Sequence, residues 1–84
     1  MKFRQLPDPL PDMLAWGCKI GRFSFVITLE TTVPDDPEWQ GYTASWKRAL
    51  GNHRAIRIGD KPWQTFNAAE AACQATYRQL RNPQ

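Results

Sequence analysis

The segment Arg22-Phe23-Ser24-Phe25-Val26-Ile27-Thr28-Leu29-Glu30 carries the strongest pattern in the chain. Phe23, Phe25, Ile27 and Leu29 fall on one side of an extended backbone, and Arg22, Ser24, Thr28 and Glu30 fall on the other, with only Val26 breaking the alternation. A period of two is the signature of an antiparallel strand with one face buried and one in water. Just before it, Met13 to Lys19 places Leu14, Trp16 and Cys18 on one side, and Lys19-Ile20-Gly21-Arg22 supplies a turn because Gly21 tolerates a positive φ. These two runs therefore predict a hairpin.

Further along, Gly41 to Arg48 alternates Tyr42, Ala44 and Trp46 with Thr43, Ser45 and Lys47, giving a third strand. Ala49-Leu50-Gly51-Asn52 reads as a turn, and Arg54 to Gly59 as a short fourth strand with Ile56 and Ile58 inward. Between the second and third strands, Pro34-Asp35-Asp36-Pro37-Glu38-Trp39 is an acidic loop. Asn67-Ala68-Ala69-Glu70 has the spacing of a capping box, which predicts a helix from Ala68 to about Leu80. Ala69, Ala72, Cys73, Thr76 and Leu80 form its buried stripe, small enough for close approach to a sheet. The expected fold is α+β, a four-stranded antiparallel sheet with one C-terminal helix packed on a face, formed by residues 13–84 as a single domain. Residues 1–12 precede it as a Pro-rich N-terminal arm, with Pro7, Pro9 and Pro11 favouring polyproline II.

The chain has 84 residues, 42% of them hydrophobic and 12% aromatic, which suits one small domain and excludes a multidomain enzyme or a repeat array. A domain this small sits near the limit of self-sufficiency, so a partner or a homodimer contact could complete it. No run approaches the ~20 apolar residues of a membrane-spanning helix. Met1-Lys2-Phe3-Arg4 begins like the charged end of a signal peptide, but prolines and Asp8 replace the apolar stretch that should follow. The expectation is a cytoplasmic protein with no membrane contact. Cys18 and Cys73 read as two reduced, buried thiols, with a single bridge left open should the first strand and the helix bring them together.

Chemistry-bearing motifs are scarce. His53 is the lone histidine and the cysteines are far apart in sequence, so no metal-ligand spacing occurs and no metal or cofactor is expected. Ser24 and Ser45 lie within strands rather than on a nucleophile elbow, and the glycines are scattered singly rather than gathered in a phosphate loop. No catalytic residue is assigned. Charge is more informative. Residues 1–42 hold four basic and six acidic groups, a net −2, whereas residues 43–84 hold seven basic and two acidic groups, a net +5. Two candidate surfaces follow. Asp35, Asp36, Glu38 and Trp39 form an acidic partner-binding loop, and Lys47, Arg48, Arg54, Arg57 and Lys61 form a basic hairpin suited to nucleic acid, with His53 in its turn. Outward lysines and arginines also keep a sheet soluble and discourage edge pairing, which is the plainer account of the same residues. Trp63, after Pro62, either plugs the end of the core or serves as an exposed anchor.

Gly41-Tyr42-Thr43-Ala44-Ser45-Trp46, the short strand to Gly59, and Phe66-Asn67-Ala68-Ala69-Glu70-Ala71-Ala72 together resemble the layout of small antitoxin domains that pair with RNA-cleaving toxins. The small size, the lack of a catalytic set and the polarised charge also resemble phage-borne inhibitors of bacterial defence, including anti-CRISPR proteins. That likeness is one of build without a shared motif, so it assigns a role to no residue. It implies a non-enzymatic binding module that occludes a protein or nucleoprotein surface, such as a phage-encoded inhibitor of a bacterial defence complex. The alternative is a small nucleic-acid-binding domain that uses the basic hairpin.

Overall fold

The computed structural model describes residues 1–7, 13–30, 41–56 and 62–81. Its strands are β1 (Arg4–Gln5), β2 (Met13–Ile20), β3 (Phe23–Glu30), β4 (Tyr42–Arg48) and β5 (Arg54–Ile56), followed by one helix, α1 (Phe66–Arg81). Among the described residues the strands form one antiparallel sheet in the order β1-β2-β3-β4-β5. The α+β class and the C-terminal helix stand, but the sheet has five strands rather than four.

The extra strand comes from the segment expected to be a proline-governed arm. Residues 1–6 precede the first proline and keep every backbone N–H, so they can pair with the free edge of β2. Arg4 lies opposite Gly17, Gln5 lies opposite Trp16, and the Leu6 N–H donates to the Ala15 carbonyl at 2.8 Å. Pairing stops at Pro7, which has no donor. Gly17 leaves room for Leu6, whose Cδ2 sits 3.3 Å from the position a β-carbon would take there.

The hairpin between β2 and β3 turns through Gly21 and Arg22, with φ +60° at Gly21. Strand register sorts the side chains. Trp16, Ile27 and Ala44 share one cross-strand row, and Cys18, Phe25 and Trp46 share the next, all on the face that meets α1. Phe25, Ile27, Ala69 and Cys73 are fully buried between sheet and helix. The opposite face carries smaller residues: Ala15, Thr28 and Thr43 in one row, then Gly17, Val26, Ser45 and Ala55. The Thr28 and Thr43 hydroxyls hydrogen-bond each other across the strands at 2.6 Å.

The helix begins earlier than the capping-box reading places it. Thr65 is the N-cap, its Oγ1 accepting the Ala68 N–H at 3.1 Å, and Asn67 is an exposed residue of the first turn. Phe66 explains the shift: its ring packs edge-on against Phe3, Trp16 and Tyr42, with centroids 5.7, 5.2 and 5.9 Å away, and that contact draws it into the helix. Glu70 does not reach back to the helix start; its Oε1 accepts from Gln74 Nε2 at 3.5 Å. Trp63 takes the plug position. It forms a two-way backbone bridge with Tyr42 and packs against the core. Gly41 is required there, because at φ +151° a β-carbon would collide with the Trp63 carbonyl oxygen.

Candidate functional site

Of the residues expected to meet a partner, Asp35, Asp36, Glu38 and Trp39 lie outside the described residues, as do Arg57 and Lys61 of the basic hairpin. Lys47, Arg48 and Arg54 are described, and the strand period divides them. Lys47 follows Ser45 on the open face of the sheet, whereas Arg48 and Arg54 take the register of Phe23 and Trp46 on the helix face. They do not form one flat basic surface. Instead they meet at one end of the molecule.

That end gathers cations from four places in the chain. The β2–β3 turn brings Lys19 and Arg22, the end of β4 brings Lys47 and Arg48, and the start of β5 brings Arg54. The Ala49 N–H donates to the Arg22 carbonyl at 2.9 Å and ties the first two groups together. The helix supplies the rest. Phe66 at its start packs on Tyr42, at the far end of β4, while Tyr77 packs on Phe23 and Phe25, so α1 runs towards Arg48. Its last turn thus delivers Arg78 and Arg81 to the same end. In that position they also complement the partial negative charge of a helix C-terminus, which is sufficient structural reason for them by itself.

The two described acidic residues are remote from this pole. Glu30 is paired with Met13 at the other end of β3, seven residues from Phe23, or about 23 Å along the strand. Glu70, the fifth residue of α1, lies about 12 Å in axial rise from Arg78. Both residue-to-residue separations exceed a screening length of about 8 Å at physiological salt, so the described acidic positions are remote from the pole. Glu30 and Gly41, which flank the acidic segment 31–40, likewise lie at the end away from the cations.

Within the pole the basic groups have two kinds of setting. On the open face Lys19, Ser24 and Lys47 share one cross-strand row, placing two ammonium stems about 10 Å apart with a hydroxyl between them. On the helix face the Arg54 guanidinium lies over the Trp46 ring, 5.8 Å from its centroid, and the Arg81 guanidinium lies over Tyr77 at 5.5 Å. Leu50, in the turn after β4, is fully exposed.

Lys19, Arg22, Arg78 and Arg81 were not part of the expected hairpin. The sequence signal that could have found them is the combination of a turn after the first strand and a basic final helical turn, once the helix direction is fixed by Phe66 and Tyr77.

Other chemistry is sparse. Among the described residues no three His, Cys, Asp or Glu side chains come together in a way that could hold a metal ion. Cys18 and Cys73 are both free and buried. Burial chiefly, then the nearby Cys18 and Glu70, push the Cys73 thiol up to about 12, so at neutral pH it stays protonated and is a poor nucleophile. Among the described residues no helix is long and apolar enough to cross a membrane. No protein-family model matches the chain, and no curated protein or solved structure matches it.

Proposed function

We propose that this protein is a non-enzymatic binding module that engages nucleic acid, free or within a nucleoprotein, through its cationic pole. The observation that carries this reading is the convergence of Lys19, Arg22, Lys47, Arg48, Arg54, Arg78 and Arg81 at one end, with the described acids at the other. Bringing so many like charges together raises their mutual repulsion, a cost that a bound polyanion relieves. Phosphate contacts of this kind release counterions on binding, so affinity must fall steeply with salt. Fluorescence anisotropy with labelled DNA and RNA across a salt series tests the reading. A log–log slope corresponding to several displaced counterions supports it, and no change in anisotropy at low salt refutes it.

A second reading is that the acidic segment containing Asp35, Asp36, Glu38 and Trp39 covers a protein surface as an anti-CRISPR-like, phage-type inhibitor would. The residues that flank it in the chain, Glu30 and Gly41, lie away from the cations, which favours it. Charge complementarity would then govern recognition. Reversing the three acidic charges separates the two readings: the inhibitor reading requires loss of partner capture, and the nucleic-acid reading requires unchanged or tighter nucleic-acid binding.

A further inference from the structure

Among the described residues, two arginines of the pole lie over aromatic rings. Trp46 and Tyr77, which lie beneath Arg54 and Arg81, each stand against Phe23, with centroids 6.1 and 6.2 Å away in edge-to-face contact. Tyr77 also touches the fully buried Phe25. The aromatic row Trp46–Phe23–Tyr77 is therefore rooted in the core and carries a guanidinium at each end.

With Cζ 5.8 and 5.5 Å from the ring centroids, both guanidinium groups are within cation–π reach. The N–H donors of a guanidinium lie in its plane and point outwards, in the fork geometry that matches two oxygens of one phosphate. Both side chains remain exposed, so those edges are open to solvent. Stacking on an anchored ring also removes much of the rotamer freedom that a long basic side chain would otherwise lose on binding. A lysine ammonium has neither the plane nor the fork.

We infer that Arg54 and Arg81 are pre-set phosphate forks that grip the nucleic-acid backbone, while the remaining cations of the pole supply undirected charge. This inference rests on the nucleic-acid reading above and assigns its directional contacts. The ligand chemistry is the phosphodiester of a DNA or RNA backbone, recognised by bidentate hydrogen bonds rather than by base identity.

The test uses the full chain, a short fluorescein-labelled DNA duplex, and the variants Arg54→Lys, Arg81→Lys and their double combination, with Arg4→Lys, an exposed arginine of β1 outside the pole, as the control. Each substitution keeps its positive charge, so the salt slope should hold while affinity in the double variant drops roughly tenfold. Arg4→Lys should bind as the parent does. Urea midpoints measured alongside show whether any loss comes from unfolding, and the single variants separate the two forks. A folded double variant that binds as tightly as the parent overturns this inference and leaves the nucleic-acid reading intact. A parent protein that binds no duplex or single strand at low salt overturns both.

Discussion

Aromatic clusters occupy both ends of the helix–sheet interface, yet they are closed by different materials. At the start of α1, Phe66 is surrounded by Phe3, Trp16 and Tyr42, and the N-terminal segment closes the cluster with another ring. At the other end, Trp46 and Tyr77 are covered by the guanidinium groups of Arg54 and Arg81. The first arrangement withdraws apolar surface from water and carries no charged group, so it serves stability. The second leaves charged, hydrogen-bonding edges at the surface, so it gives up some stabilisation in exchange for a surface that can bind. An exposed cation–π contact contributes only about 0.5–1 kcal/mol, far less than a buried aromatic ring.

The comparison breaks most sharply at Phe66. Phe66→Ala should cost about 3 kcal/mol, the low end for an aromatic truncation because the ring is only half-buried, and should lower the urea midpoint markedly. The salt dependence of nucleic-acid binding by the surviving folded protein should not move. A loss below about 1 kcal/mol would mean that the ring cluster is not what closes that end.

Cys73, fully buried between the two clusters, gives a probe of the shared interior. Its pKa rises from 9.0 to about 12, so the folded state keeps a proton that the unfolded chain gives up in that interval. The stability linked to this thiol is fully present below pH 9, and it is lost as pH rises through the interval towards 12. The steepest slope is about 1.4 kcal/mol per pH unit for one proton. Cys73→Ala should flatten that alkaline decline relative to the parent, as followed by denaturant unfolding at a series of pH values. An identical slope in the two proteins would show that the thiol titrates as freely in the folded state as in the unfolded.

At the cationic end the corresponding truncations should be mild. Arg54→Ala and Arg81→Ala are each expected to change stability by about 1 kcal/mol or less, as measured by urea unfolding. A larger loss would make these arginines structural lids and erase the distinction between the two ends. Smallest of all, Leu50→Ser should leave stability within about 0.5 kcal/mol, because the side chain is fully exposed. A weaker nucleic-acid complex from that variant would add an apolar contact to the cationic surface.

Much of this architecture was legible in the sequence because it rests on periodicity. The alternation from Phe23 to Leu29 determines which residues face α1, and the same period carries Trp16, Ala44 and Trp46 into register with it. The stripe Ala69, Ala72 and Cys73 is equally direct, since small residues at helical spacing allow close packing on a sheet. What escaped has a common cause. β1 is two residues long and has no period of its own; it exists because β2 offers an unpaired edge and Phe66 offers a partner for Phe3. The helix start was misplaced for a related reason, as a tertiary contact at Phe66 outweighed the local capping pattern. The cationic end was the hardest to see. Lys19 and Arg22 belong to the half of the sequence with net negative charge, and only the hairpin fold places them beside Arg48. Halves of a chain are not ends of a molecule.

The contact between Phe3 and Phe66 has a kinetic consequence. Each hairpin from β2 to β5 joins neighbours in the chain, and such local pairings can form early. The Phe3–Phe66 contact instead closes a loop of more than sixty residues, with a chain-entropy cost on the order of 4 kcal/mol before any packing is gained. The Phe3–Phe66 contact should therefore form late, after α1 has settled on the sheet, even though β1 pairs locally with β2. Until it forms, the edge of β2 is covered by a two-residue pairing alone, so this interval is when a newly made chain is most exposed to pairing with a neighbour.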